Sequence, residues 1–121
     1  MTHPKRIQLS RRKGYKKPEG AIVVSRPSRW GNPFRVERAP VIGGFDVYHG
    51  MMLLSGPHAT KDAAVRQAVV AFHTSLLRGT LPYDVEDVQR ELRGKALACW
   101  CPLDGPCHAD VLLKLANEAK P

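Results

Sequence analysis

Residues 95–112 read Lys95-Ala96-Leu97-Ala98-Cys99-Trp100-Cys101-Pro102-Leu103-Asp104-Gly105-Pro106-Cys107-His108-Ala109-Asp110-Val111-Leu112, and this stretch decides the fold class. Lys95 to Cys101 has the length and apolarity of a buried strand, and Pro102, which has no amide hydrogen to give a sheet ladder, ends it. Leu103-Asp104-Gly105-Pro106 is turn chemistry. From Cys107-His108 onward the apolar spacing of Val111, Leu112, Leu115 and Ala116 is that of a helix. Strand, short loop and helix in direct succession point to an α/β layered protein.

Working outward, Ala21-Ile22-Val23-Val24 is a second short apolar run, rich in β-branched residues, and reads as another buried strand. Thr60 caps a helix in which Val65, Ala68, Val69, Phe72 and Leu76 share one face as far as Arg78-Gly79. Asp84 caps a shorter helix with Val85, Val88 and Leu92 as its stripe and Gly94 just past its end. These elements predict a small Rossmann-like three-layer α/β domain with a short, mostly parallel sheet and about three helices. Between Val36 and Ser55 the apolar patches are broken by Gly43-Gly44 and Gly50, which suggests a pair of short strands joined at a glycine turn, with Met51-Met52 as packing residues.

A length of 121 residues fits one domain, and 43% hydrophobic with 25% charged residues excludes a wholly disordered or fibrous chain. No apolar run approaches the roughly 18–20 residues of a membrane span, and the N-terminus lacks a secretory leader pattern. A cytoplasmic location follows as the expectation, with no membrane partner. Three cysteines, an odd number, suit thiol or metal chemistry in a reducing compartment better than a disulfide framework. The net charge of +8 is unevenly placed: Met1 to Lys17 holds seven basic side chains and no acid, and the remainder 12 basic and 11 acidic. The chain therefore divides into a basic arm, residues 1–20, and a single α/β domain, residues 21–121. Arg11, Arg12, Lys13, Lys16 and Lys17 are the arm's candidates for nucleic-acid phosphate contacts.

Cys99 and Cys101 lie two apart on a strand, so they face one side and Trp100 the other. A short loop brings Cys107 and His108 back toward them. Cys99, Cys101, Cys107 and His108 form a donor set suited to zinc, although their spacing departs from two separate ligand pairs. Cys101, Cys107, His108 and Asp110 equally supply a nucleophile and acid–base groups beside a helix start, where a thiolate is favoured. A third reading makes the cysteines small core residues and His108 a cap.

Arg26-Pro27-Ser28-Arg29-Trp30-Gly31-Asn32-Pro33-Phe34 follows the first predicted strand and holds a guanidinium pair, an indole and an amide. This set recognises phosphates and bases: Trp30 stacks, Arg26 and Arg29 hold phosphate, Asn32 orients, and Ser28 and Gly31 line the approach, with Trp100 opposite. The reading is a nucleotide-like small molecule bound or processed in a cleft between this loop and the Cys99–Asp110 segment. Beside it stands a non-enzymatic nucleic-acid- or protein-binding module with a structural, zinc-loaded cluster. The sequence leaves enzyme and binding module both open.

Taken in order, Lys13-Gly14-Tyr15, Pro18-Glu19-Gly20, Arg26 to Phe34, Leu92-Arg93-Gly94-Lys95, Cys99-Trp100-Cys101-Pro102 and Cys107-His108-Ala109-Asp110-Val111-Leu112 resemble the family known as domain of unknown function 4326, found largely in phages and bacteria. The resemblance spans nearly the whole chain, apart from Gly43-Gly44 to Gly56. It implies that the basic segment belongs to the domain and that the two loops occur together. It implies no activity.

Overall fold

A computed structural model describes residues 4–118. In chain order its elements are β1 (Arg6–Gln8), β2 (Ile22–Val23), β3 (Phe34–Arg38), β4 (Phe45–His49), β5 (Met52–His58), α1 (Lys61–Arg78), α2 (Val85–Leu92), β6 (Leu97–Cys99) and α3 (His108–Asn117). β6 is the middle strand of a parallel sheet in the order β1-β6-β2, with Ile7 and Val23 both level with Ala98. All three of its residues are buried, as an apolar run flanked on both edges requires.

β3, β4 and β5 form a separate antiparallel sheet in sequence order. Their connections, residues 39–44 and 50–51, are too short to return a strand parallel to its neighbour, which takes about a dozen residues or more. Gly44 serves the first turn at φ +82°, where a Cβ would stand 2.6 Å from the His58 carbonyl oxygen. The predicted pair of strands is thus a three-stranded meander, and Met51 and Met52 are not packing residues: they sit exposed at the β4–β5 turn. The architecture is mixed α/β, with three helices and two small sheets in place of one mostly parallel sheet.

β1 falls inside the stretch expected to be an arm. The Leu97 amide donates to the Lys5 carbonyl and the Leu9 amide to the Cys99 carbonyl, so Lys5 to Leu9 is an edge of the sheet. Beyond Ser10 the basic segment leaves the sheet, and Arg11, Arg12, Lys13, Lys16 and Lys17 are all open to solvent.

The helices follow their local signals closely. Thr60 Oγ1 accepts from the Ala63 amide at the start of α1, and Gly79 closes it in the left-handed region at φ 73°. Asp84 and Asp87 form a reciprocal capping box on α2. Along α1, Ala64, Ala68, Phe72 and Leu76 recur every fourth residue and enter one buried cluster with Val24, Val88, Leu92, Leu97 and Leu112. α1 packs against both the antiparallel sheet and α3, and α3 in turn against α2, β1 and β6. Among the described residues no helix is long and apolar enough to cross a membrane.

Phe72 is fully buried at the middle of this arrangement, its ring edge-on to His108 at 5.1 Å. Phe72→Ala is expected to lower unfolding free energy by about 3–5 kcal/mol, read from urea denaturation midpoints, with Phe72→Leu losing less than half as much. Equal stability of Phe72→Ala and the unsubstituted chain would refute this account of the core.

Candidate functional site

The parallel register sets Gln8 level with Cys99, and the Val24 amide donates to the Ala98 carbonyl. The three strands therefore end at one edge, and the residues that leave it gather there, as ligand sites in open parallel sheets do. A cleft of about 370 Å³ opens at that edge. Ser25, Arg26, Asn32 and Phe34 line one side, and Cys99, Trp100, Cys101, Cys107 and His108 the other. The third wall is α1, through Lys61, Val65, Ala68 and Val69. Val65 and Val69 belong to the apolar stripe read as core from the sequence, yet they are half-exposed and face the cleft. No described carboxylate lines it, and neither Arg26 nor Lys61 has an ion-pair partner among the described residues, so cationic groups dominate its charge.

The sulfur atoms of Cys99, Cys101 and Cys107 all lie within 4.8 Å of one another. The strand expected to reach Cys101 ends at Cys99; Cys101 lies in the bend just past it, its sulfur 3.8 Å from that of Cys99, and the Pro102–Pro106 loop returns Cys107 at the N-cap of α3. Cys107 has no side-chain capping bond, but the Ala109 backbone amide lies within hydrogen-bonding reach of its sulfur. Sulfur hydrogen bonds from Cys101 and Cys107 hold the Cys99 thiol far below its usual range. The same contacts with Cys107 and Cys99, together with burial, push Cys101 up. The shared sulfur contacts thus favour ionisation of one thiol and oppose that of a second.

The imidazole does not join the group formed by the three sulfurs. His108 is buried, and its Nε2 lies 2.8 Å from the Val24 carbonyl oxygen and 3.1 Å from that of Trp30. Both neighbours are acceptors, so Nε2 carries the hydrogen and donates to them, while Nδ1 keeps its lone pair 3.9 Å from Cys107 Sγ. Burial pushes the imidazole below its ordinary pKa and keeps it neutral, outweighing the two carbonyls. His108 acts as a rivet joining α3 to the end of β2 and to the tryptophan loop. Asp110, on the first turn of α3, is exposed and paired with Arg6 across 3.4 Å.

Within the Arg26–Phe34 loop the side chains divide. Trp30 is only 6% exposed; its ring packs edge-on to Tyr83 at 4.6 Å beneath the Arg29 guanidinium at 4.8 Å, and no open face is left for a base. Arg29 turns outward to α2, with Nη1 2.8 Å from Glu91 Oε2 and Nη2 3.8 Å from Asp87 Oδ2. Asn32 spends both ends of its amide on backbone, donating to the Ala68 carbonyl and accepting from the Phe34 amide, and so ties the loop to α1. Ser28 has a buried hydroxyl with no partner among the described residues and lies outside the cleft lining. Gly31 lets the loop close over Arg26, whose Cγ would lie 2.8 Å from a Cβ there. Arg26 reaches the cleft, and so does Trp100, which is 45% exposed and carries the Arg11 guanidinium 5.0 Å above its ring. Lys61 was not foreseen because a lysine on the first helical turn has no distinguishing sequence signal.

A family model described as "Domain of unknown function (DUF4326)" matches residues 7–118. No curated protein and no solved structure matches the chain.

Two outcomes follow from this packing. His108→Phe preserves ring volume against Phe72 but strips the buried Val24 and Trp30 carbonyls of their donor; a loss of about 2–4 kcal/mol in denaturant unfolding is expected. The Tyr83 hydroxyl, buried without a partner among the described residues, is pushed up by burial to about 12, with the Arg29 charge opposing. Between pH 10 and 12 the unfolded chain releases a proton that the folded chain retains, so this contribution is present below about pH 10 and lost as pH rises toward 12. Ultraviolet titration should show one late-ionising tyrosine that disappears in Tyr83→Phe; its persistence in that variant would exclude Tyr83 as the source.

Proposed function

The chain belongs to the DUF4326 family, and on that premise we propose that it is a metal-binding protein in which Cys99, Cys101 and Cys107 hold one zinc ion as thiolates. In this reading the fourth coordination position faces the cleft and takes a small anionic ligand of the nucleotide type. The observation that carries it is the convergence of three unpaired cysteine sulfurs on the wall of the cleft.

Tetrahedral zinc with bonds of about 2.3 Å to sulfur sets neighbouring sulfurs about 3.8 Å apart. Cys99 and Cys101 stand at 3.8 Å. Soft thiolate donors favour zinc over hard cations such as magnesium. Three protein ligands with one open position are the pattern of zinc sites that do chemistry, whereas structural sites close with four. Cys101 is half-buried while its two partners are buried, which leaves the centre approachable from one side. Arg26 and Lys61 suit a phosphate or carboxylate, and the half-exposed Trp100 offers an aromatic surface beside them.

Elemental analysis of the full chain purified under reducing conditions should give one zinc per chain, falling well below that in Cys101→Ser and Cys107→Ser. Cobalt in its place should show thiolate charge-transfer absorption. A chain that stays metal-free after incubation with either ion would sink the reading. With zinc bound, a nucleotide present at a hundredfold over its Kd should stabilise the fold by about 2.7 kcal/mol, and Arg26→Ala combined with Lys61→Ala should abolish the shift.

A further inference from the structure

Resting on that zinc reading, we infer that Arg6 is a positioning and charge-compensating residue of the thiolate centre, holding the Cys101–Cys107 loop in place and keeping its buried Nη1 as a donor for a metal-bound thiolate. Three thiolates around a divalent cation carry one net negative charge, and a buried charge without a counter-charge is costly. Arg6 is placed to supply it. Its side chain is only 7% exposed, whereas the other arginine side chains that form ion pairs among the described residues are 37–64% exposed.

The guanidinium has a divided set of partners. Nη2 shares its two hydrogens among three carbonyls, those of Pro102 at 3.2 Å, Leu103 at 2.8 Å and Gly105 at 2.9 Å, all in the loop between the second and third cysteines. Nε lies 3.4 Å from Asp110 Oδ1. Nη1 is buried and has no hydrogen-bond acceptor among the described residues. It belongs to a group that lies beside Cys107 and within electrostatic range of Cys101; burial lowers the Arg6 pKa, but these sulfurs and Asp110 outweigh it and raise it overall. A neutral thiol is a weak acceptor, and a metal-bound thiolate is a good one. An arginine that served only to staple the loop would be satisfied by its carbonyls and would have no reason to bury a further donor.

Register explains how a residue so far away in sequence arrives there. Arg6 pairs with Leu97, and in a parallel ladder partners point to the same face. Leu97 and Cys99 share that face of β6, and α3, with Cys107 at its N-cap and Asp110 on its first turn, packs against both β1 and β6. Ligands bound to metal commonly depend on such supporting hydrogen bonds, whose loss costs about tenfold to a hundredfold in metal affinity.

The test is zinc affinity of the full chain by chelator competition, read beside the cobalt absorption spectrum. Arg6→Gln should still bind one zinc at saturation but about tenfold to a hundredfold more weakly, with its charge-transfer band displaced. Arg6→Lys, which keeps the charge and loses the fork, should recover part of that affinity. Equal losses in the two variants with an unchanged cobalt spectrum would reduce Arg6 to a loop staple and overturn the inference, as would unweakened binding by Arg6→Gln. Asp110→Asn removes a competing carboxylate without touching the loop and reports on the charge even if Arg6→Gln fails to fold. Zinc binding in it should be equal or tighter, and a loss of about tenfold would again overturn the inference. An unsubstituted chain that binds neither zinc nor cobalt would bring down the underlying zinc reading, and this inference with it.

Discussion

The cleft depends on the pairing of β6 with a parallel neighbour on each side. Those ladders are short, but they satisfy both edges of a fully buried strand, and they level the ends of β1, β6 and β2. From that shared edge come Arg11 after the first strand, Ser25 and Arg26 after the second, and Trp100 and Cys101 after the third. A shift of β6 by one residue would send Cys99 to the opposite face. The same shift would move the Cys99 carbonyl, on which the Leu9 amide closes β1.

Polar groups buried behind the cleft are arranged so that each charge has a reason to be there. His108 stays neutral and spends its one hydrogen on the ends of two chain segments, Val24 and Trp30. The three thiols gather beside the start of α3, with Arg6 bonded to the carbonyls of the loop between Cys101 and Cys107. A neutral rivet beside the cysteine cluster avoids a buried imidazolium with no counter-charge. In this arrangement, the residues that hold the walls in place (His108 and Asn32) differ from those with free chemistry to offer, which are the sulfurs, Arg26, Lys61 and Trp100.

The two tryptophans show where composition stops being informative. Trp30 and Trp100 both sit in loops after parallel strands, each with an arginine over its ring, at 4.8 Å and 5.0 Å. Trp30 has Tyr83 and the rest of the core behind it and is 6% exposed, while Trp100 is 45% exposed at the cleft. Tyr83 lies between α1 and α2, far along the chain from the tryptophan loop, so nothing near Trp30 in sequence announces that it is covered. The same holds for Val65 and Val69: their spacing places them on an apolar helix face, but only the position of the neighbouring loops decides that this part of the face borders a cleft.

What the sequence determined by itself was whatever a few neighbouring residues settle among themselves. Thr60, Asp84 and Gly79 terminate helices through bonds to amides and carbonyls one turn away, and the apolar run at Leu97 to Cys99 makes a buried strand. The strand–loop–helix unit that returns Cys107 and His108 to that strand end was legible for the same reason. Only the tertiary structure decided that Arg6 belongs to a sheet and not to a mobile arm, that residues 34–58 close into a second sheet, and that α1 completes the cleft. Each of these depends on partners distant in sequence: a three-residue strand carries too little local pattern to announce itself, and a ladder to residues near position 97 is what gives it one.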